Sequence, residues 1–149
     1  MGMFEFVKDL KKTGKPVLLP QGDSAVIAHD YNERGLSLHN QGRFKEAIQQ
    51  FDIALDARPQ HAIAWFNKGV SLARIGNSKE AIGCFDKALE IDPNYIDAMF
   101  SKGTCAFELN QYVLALDCFE KVIALNPNDI QAQQCRLGVL KTLAEKKVE

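Results

Sequence analysis

Three histidines, four cysteines and 19 acidic residues are the side chains of this 149-residue chain that could hold a metal, shuttle a proton or attack a carbonyl. Their spacing argues against all three. His29 and His39 are ten residues apart, which on a helix is about 15 Å, too far to share one ion, and His61 falls in a turn between helices. Cys84, Cys105, Cys118 and Cys135 include no C-x-x-C pair and no His at ligand spacing, so they are expected to be small reduced residues partly buried in helices. Asp52, Asp86 and Glu120 recur at one interval instead of forming an acid and base in contrasting environments, and are expected to be solvated helix faces. No Gly-x-Ser-x-Gly elbow, phosphate loop or H-E-x-x-H helix is present. The chain is therefore read as not an enzyme, with no metal and no cofactor.

The interval that spaces those carboxylates governs the whole chain. Gly35, Gly69 and Gly103 lie 34 residues apart, as do Ala47, Ala81 and Ala115, then Phe51, Phe85 and Phe119, then Pro59, Pro93 and Pro127. A period of this length with two amphipathic stretches per unit describes a solenoid whose units bury their apolar faces against one another. The first stretch carries Tyr31, Gly35 and Leu38, repeated as Trp65, Gly69, Leu72 and as Met99, Gly103, Ala106. These spacings put each set on one helical face, and the glycine admits a neighbouring helix at close range. The second stretch sets a large ring at Phe51, Phe85 and Phe119 among small and aliphatic residues at helical spacing. Gly42, Gly76 and Asn110 tolerate the left-handed conformation that ends a helix, which predicts a tight turn inside each unit. Arg58-Pro59, Asp92-Pro93 and Asn126-Pro127 predict the stop between units.

These columns resemble the tetratricopeptide repeat, with its Trp-x2-Leu-Gly-x2-Tyr, Ala-x3-Phe and Pro positions. The best copy here reads Trp65-x2-Lys68-Gly69-x2-Leu72, Ala81-x3-Phe85 and Pro93, with Lys68 and Leu72 as departures. The resemblance implies an all-α fold, a right-handed superhelical solenoid of antiparallel helix pairs, with about seven main helices plus a short N-terminal segment. The expected organisation is an N-terminal segment over 1–24, a short amphipathic helix and loop, followed by a repeat domain over 25–146. Within that domain the repeats cover 28–61, 62–95 and 96–129, and 130–146 forms a capping helix with one apolar stripe and one wet face.

Composition narrows the partner. A formal charge of −1 supplies no field for a polyanion, so no nucleic-acid binding is expected. No apolar run approaches the roughly 18 residues of a membrane span, so no membrane association is expected and the default compartment is the cytoplasm. That leaves a protein or peptide partner, with a homo-oligomer as the alternative.

The resemblance places the first helix of each unit on the concave side. Stepping from each repeating glycine selects one face: His29, Asn32, Leu36 and His39, then Ile63, Phe66, Val70 and Ala73, then Asp97, Phe100, Thr104 and Phe107, with Arg74 and Glu108 beside it. The candidate peptide groove is Asn32, Leu36, His39, Ile63, Phe66, Asn67, Val70, Arg74, Phe100, Thr104 and Phe107. Phe66, Phe100 and Phe107 are the expected apolar anchors, while Asn32, Asn67 and Arg74 would hold a partner's backbone or carboxylate. Members of the family that grip acidic chaperone tails use a carboxylate clamp of Lys, Asn and Arg. At the matching sites Asn32, Leu36, Asn67, Asp97 and Ser101 only Asn67 agrees, so no such tail is expected to bind. Met3, Phe4, Val7 and Leu10 make a short apolar stripe that could lie in the same groove, in its own molecule or a neighbour.

Overall fold

A computed structural model describes residues 6–7, 17–18 and 22–146. Seven helices follow one another among them: α1 (Ser24–Asn40), α2 (Phe44–Ala57), α3 (Ala62–Arg74), α4 (Ser78–Ile91), α5 (Ile96–Glu108), α6 (Tyr112–Leu125) and α7 (Ile130–Lys146). Each helix packs on its neighbours in sequence, and α1 also touches α3 as α3 touches α5. This is the stacked helix-pair solenoid that the 34-residue register requires. The first helices of successive units meet one another directly, so the array curves toward them.

The turns within units are built alike. Gly42 (φ 76°), Gly76 (φ 81°) and Asn110 (φ 60°) are left-handed. The next residue's amide reaches back to the preceding helix, from Arg43 to the Leu38 carbonyl (2.9 Å), Asn77 to Leu72 (2.9 Å) and Gln111 to Ala106 (2.8 Å). That pairing closes the carbonyls a helix end leaves open.

Inside each unit the ring of the second helix lies on the glycine of the first. A Cβ built on Gly35 would stand 2.5 Å from Phe51, one on Gly69 2.6 Å from Phe85, and one on Gly103 2.9 Å from Phe119. Phe51 and Phe85 are fully buried, and Phe119 nearly so. Between units a second device repeats: Lys68 pairs with Asp52 (2.5 Å) and Lys102 with Asp86 (2.6 Å), each joining a second helix to the next unit's first helix. Asp52 and Asp86 are thus not simply solvated, as the sequence suggested, and Lys68 has a role in place of the family's leucine. Burial pulls the Lys68 ammonium pKa down, but the Asp52 carboxylate outweighs it and leaves a net rise. Asp52→Asn should therefore cost more stability than Asp52→Asn with Lys68→Met, because the single change strands a half-buried ammonium. Urea midpoints of both variants check the order.

The N-terminal expectation needs correction. Phe6–Val7 (β1) pairs antiparallel with Val17–Leu18 (β2), Phe6 opposite Leu18 and Val7 opposite Val17, so Val7 is not helical. Bulky and β-branched residues favour extended pairing over a short helix. Met3, Phe4 and Leu10 lie outside the described residues. The helix itself begins later, where the Asp23 carboxylate accepts from the Ala25 amide (2.9 Å).

Candidate concave groove

The groove has a polar end and an apolar end. At the polar end, Asn67 Nδ2 donates to Asn32 Oδ1 (3.1 Å), and Ser71 Oγ donates to the Asn67 carbonyl (3.0 Å). His39 Nδ1 lies 2.8 Å from that Ser71 oxygen. With the Ser71 proton committed to Asn67, the His39 nitrogen is the donor of that bond, which fixes its neutral tautomer. Burial, then the charge of Arg74, holds the His39 pKa below its usual value. The chain of bonds ties α1 to α3.

This arrangement changes the role of the first expected site residue. Asn32 is only 4% exposed, and its carbonyl already accepts from Asn67, so it is a strut between helices and presents nothing to a partner. Asn67 gives one of its two N–H donors to the same bond. Leu36 and Val70 are half-buried, while Arg74 stays exposed at the rim.

At the other end, two of the expected anchors lean into the core. The Phe66 ring sits 5.0 Å from Tyr95 and 5.9 Å from Phe85, and Phe100 sits 5.4 Å from Phe119. Both remain half-buried. Ile63 is exposed, and Phe107 is 39% exposed, with its ring in a T-shaped contact with Tyr112 (5.5 Å). Thr104 is exposed, its hydroxyl donating back to the Phe100 carbonyl (3.2 Å). Beside these two a pocket of about 190 Å³ opens between α5 and α7, lined by Thr104, Phe107, Phe119, Cys135, Gly138 and Val139. Burial pushes the Cys135 thiol pKa up, and the charge of Asp129 adds to it, so at neutral pH it contributes a neutral, apolar wall.

Sequence reasoning stopped the groove at Phe107 and missed Cys135, Gly138 and Val139. The signal was available: Gly138 lies 34 residues after Thr104, so the register carries α7 onto the same face. Ser71 was missed because only contact with α1 gives it a part.

Two models described as tetratricopeptide repeat match the sequence, one over residues 32–96 and one over 96–129. The chain belongs to the tetratricopeptide repeat family. Solved structures of tetratricopeptide domains share the fold. The first such domain of Spaghetti (RPAP3), bound to the HSP90 peptide SRMEEVD, is 24% identical with a TM-score of 0.79, covering 80% of this chain and 95% of that one. The Arabidopsis OM64 domain is 19% identical with a TM-score of 0.76, covering 79% and 98%. The Sgt2 domain from Aspergillus fumigatus is 19% identical with a TM-score of 0.75, covering 82% of each. No curated protein matches the sequence. Among the described residues, no helix of this tetratricopeptide array is long and apolar enough to cross a membrane.

Two histidines should make the array sensitive to acid. His61 caps α3, its Nδ1 accepting from the Ala64 amide (3.1 Å), and burial, then the charge of Arg58, lowers its pKa. His39 is lowered too. A histidine depressed in the folded state binds more protons when unfolded. Its stabilising contribution is therefore complete above the ordinary value of about 6.5 and lost as pH falls through the folded value. The urea midpoint should fall between about pH 7 and pH 5. Asp129 caps α7 two register steps further on, its carboxylate accepting from the Ala132 amide (2.9 Å). His61→Asp should accordingly keep the α3 cap and flatten the slope; an unchanged slope would remove His61 from the explanation.

Proposed function

We propose that this chain is a protein-interaction scaffold that binds a peptide segment of a partner along its concave groove through apolar contacts, with no catalytic role. The observation that carries this is the pocket between α5 and α7, which continues the exposed faces of Thr104 and Phe107. A pocket of about 190 Å³ with almost wholly apolar walls suits one large aliphatic or aromatic side chain. Arg74 at the rim would meet a partner's carboxylate or carbonyl. The structurally similar Spaghetti domain holds a peptide, which supports the class of ligand.

The clamp chemistry for an acidic tail is not expected here. Leu36 and Asp97 stand at clamp positions, and an exposed Asp97 repels a carboxylate. The Asn67 amide, the one agreeing residue, already gives one of its two N–H donors to Asn32. The four cysteines are free thiols, which fits a reducing, cytoplasmic setting, and we take that as the working compartment.

Fluorescence anisotropy with labelled peptides tests the site. Peptides carrying a single Leu or Phe anchor should bind, and Phe107→Ala should weaken them at least tenfold, about 1.4 kcal/mol, with helicity unchanged. Phe66→Ala with Phe100→Ala should weaken binding too, but it also removes core packing, so Phe107 is the cleaner probe. SRMEEVD should not bind in the micromolar range. Anchor peptides indifferent to Phe107→Ala would move the site, and tight binding of SRMEEVD would overturn the apolar reading.

A further inference from the structure

Two of the three junctions between units close the same proline carbonyl with a side chain, and the middle junction does not. Where α2 runs into α3, the Trp65 indole donates its Nε1–H to the Pro59 carbonyl (2.9 Å). Where α6 runs into α7, Gln133 stands at the same register position and donates from Nε2 to the Pro127 carbonyl (2.6 Å). Where α4 runs into α5 the position is Met99, whose thioether has no hydrogen to give. Among the described residues no donor reaches the Pro93 carbonyl. At this place the surface opens into a cleft of about 520 Å³ between α4, α5 and α6, lined by Pro93, Leu89, Met99 and Cys118. That volume is in the range of small-ligand sites. Burial pushes the Cys118 thiol pKa up, so the wall is neutral.

The first junction shows what fits such a cleft. Trp65 packs half-buried against the core there, with the Lys68 ammonium 5.6 Å from its ring centre, within the reach of a cation–π contact. Lys68 is held by Asp52 (2.5 Å) with its side chain 18% exposed, and Lys102, one register step on, is held by Asp86 (2.6 Å) and 20% exposed. Lys102 also lines the cleft. Leu89 and Cys118 likewise stand one step after Leu55 and Cys84. The second junction therefore keeps the carbonyl, the ammonium and the wall, and lacks only the indole.

Charge removes other occupants. Each charged residue lining the cleft is already paired: Asp86 with Lys102, Asp117 with Lys121 (2.7 Å) and Glu90 with Lys87 (2.8 Å). No unpaired charge is left to draw in a phosphate, a carboxylate or a metal ion. What remains to be recognised is a flat apolar face with one N–H donor. A second copy of the chain does not supply it, because Trp65 is the single tryptophan and its N–H is spent on Pro59.

We propose that this cleft binds the tryptophan side chain of a partner protein, with the indole N–H donated to the Pro93 carbonyl and the ring face turned to Lys102. Met99 and Lys102 lie on the opposite side of α5 from Phe100, Thr104 and Phe107. The site is therefore separate from the concave groove, and the two readings fail independently.

Amide NMR spectra of the full, nitrogen-labelled chain, titrated with N-acetyltryptophanamide, test it. Shifts should saturate and centre on Met99, Lys102 and Cys118. The analogue methylated on the indole nitrogen should bind about fivefold more weakly, the effect of one lost hydrogen bond. Met99→Trp should fill the cleft from within and abolish the shifts, with helicity by circular dichroism unchanged. Shifts absent from these three residues overturn the inference, as do shifts centred instead on Phe107 and Cys135. Equal binding of the methylated probe overturns it on the unaltered chain, whatever the stability of the variant. A folded Met99→Trp chain that still binds overturns it too.

Discussion

Phe85→Ala should lower stability by about 3–5 kcal/mol, the largest single effect expected in this chain. The ring is fully buried and lies on Gly69 in its own unit. It shares a cluster with Leu72, Ala81, Cys84 and Ala88, and with Ala98 and Cys105 of the next unit. Removing it opens a cavity that backbone glycine cannot fill, and it loosens two junctions at once. In a repeat array stability is roughly the sum of unit terms and nearest-neighbour terms, so a residue in the middle unit that serves both is worth more than one at an end. At about 3 °C per kcal/mol for a chain of this size, thermal unfolding should move down by about 10 °C or more. A loss under about 1 kcal/mol would mean that the array closes around the missing ring, contrary to the packing described. Phe66, 5.9 Å from Phe85, would be disturbed as well, so peptide binding should weaken in the same variant for an indirect reason.

The register made the backbone legible because each of its columns has one dominant cause. A residue that must be left-handed is Gly or Asn, as at Gly42, Gly76 and Asn110, and a residue that must admit a ring is Gly, as at Gly35, Gly69 and Gly103. The ion pairs were equally periodic, with Asp52 and Lys68 separated by the same sixteen residues as Asp86 and Lys102. They were overlooked because each carboxylate is unremarkable on its own helix, and only the packing of successive units brings the lysine to it. Arg136 and Glu120 have the same spacing, yet Arg136 Nε is a buried donor with no partner among the described residues, so spacing alone does not guarantee the pair.

The groove was less legible. Its face could be traced by helical steps, but whether a side chain on that face points to solvent or to a neighbour depends on what stands beside it. Asn32 looked like a presenting amide and is a strut, because Asn67 lies opposite. Phe66 and Phe100 looked like free anchors and rest on Tyr95, Phe85 and Phe119. Phe107 keeps its exposure, meeting Tyr112 in a T-shaped contact.

Gly69→Leu should be nearly as damaging as the loss of the ring, at about 3 kcal/mol, the upper end of what overpacking costs. Two effects oppose each other. Replacing a glycine inside a helix gains about 1 kcal/mol of propensity, which on an open face would stabilise α3. Here the Cβ itself would stand 2.6 Å from Phe85 Cε1 and 2.9 Å from Cδ1, and no choice of rotamer moves a Cβ. The ring or the helix must shift, and the ring is enclosed on all sides. The contact also predicts how the two damaging changes combine. Phe85→Ala empties the space that leucine at position 69 needs, so the double variant should be less destabilised than the sum of its parts, by about 0.5–3 kcal/mol. Urea unfolding of the two single variants and the double closes that cycle. Strict additivity would show that the glycine and the ring do not act on one another. Coupling would identify the ring as the group that excludes a side chain at position 69.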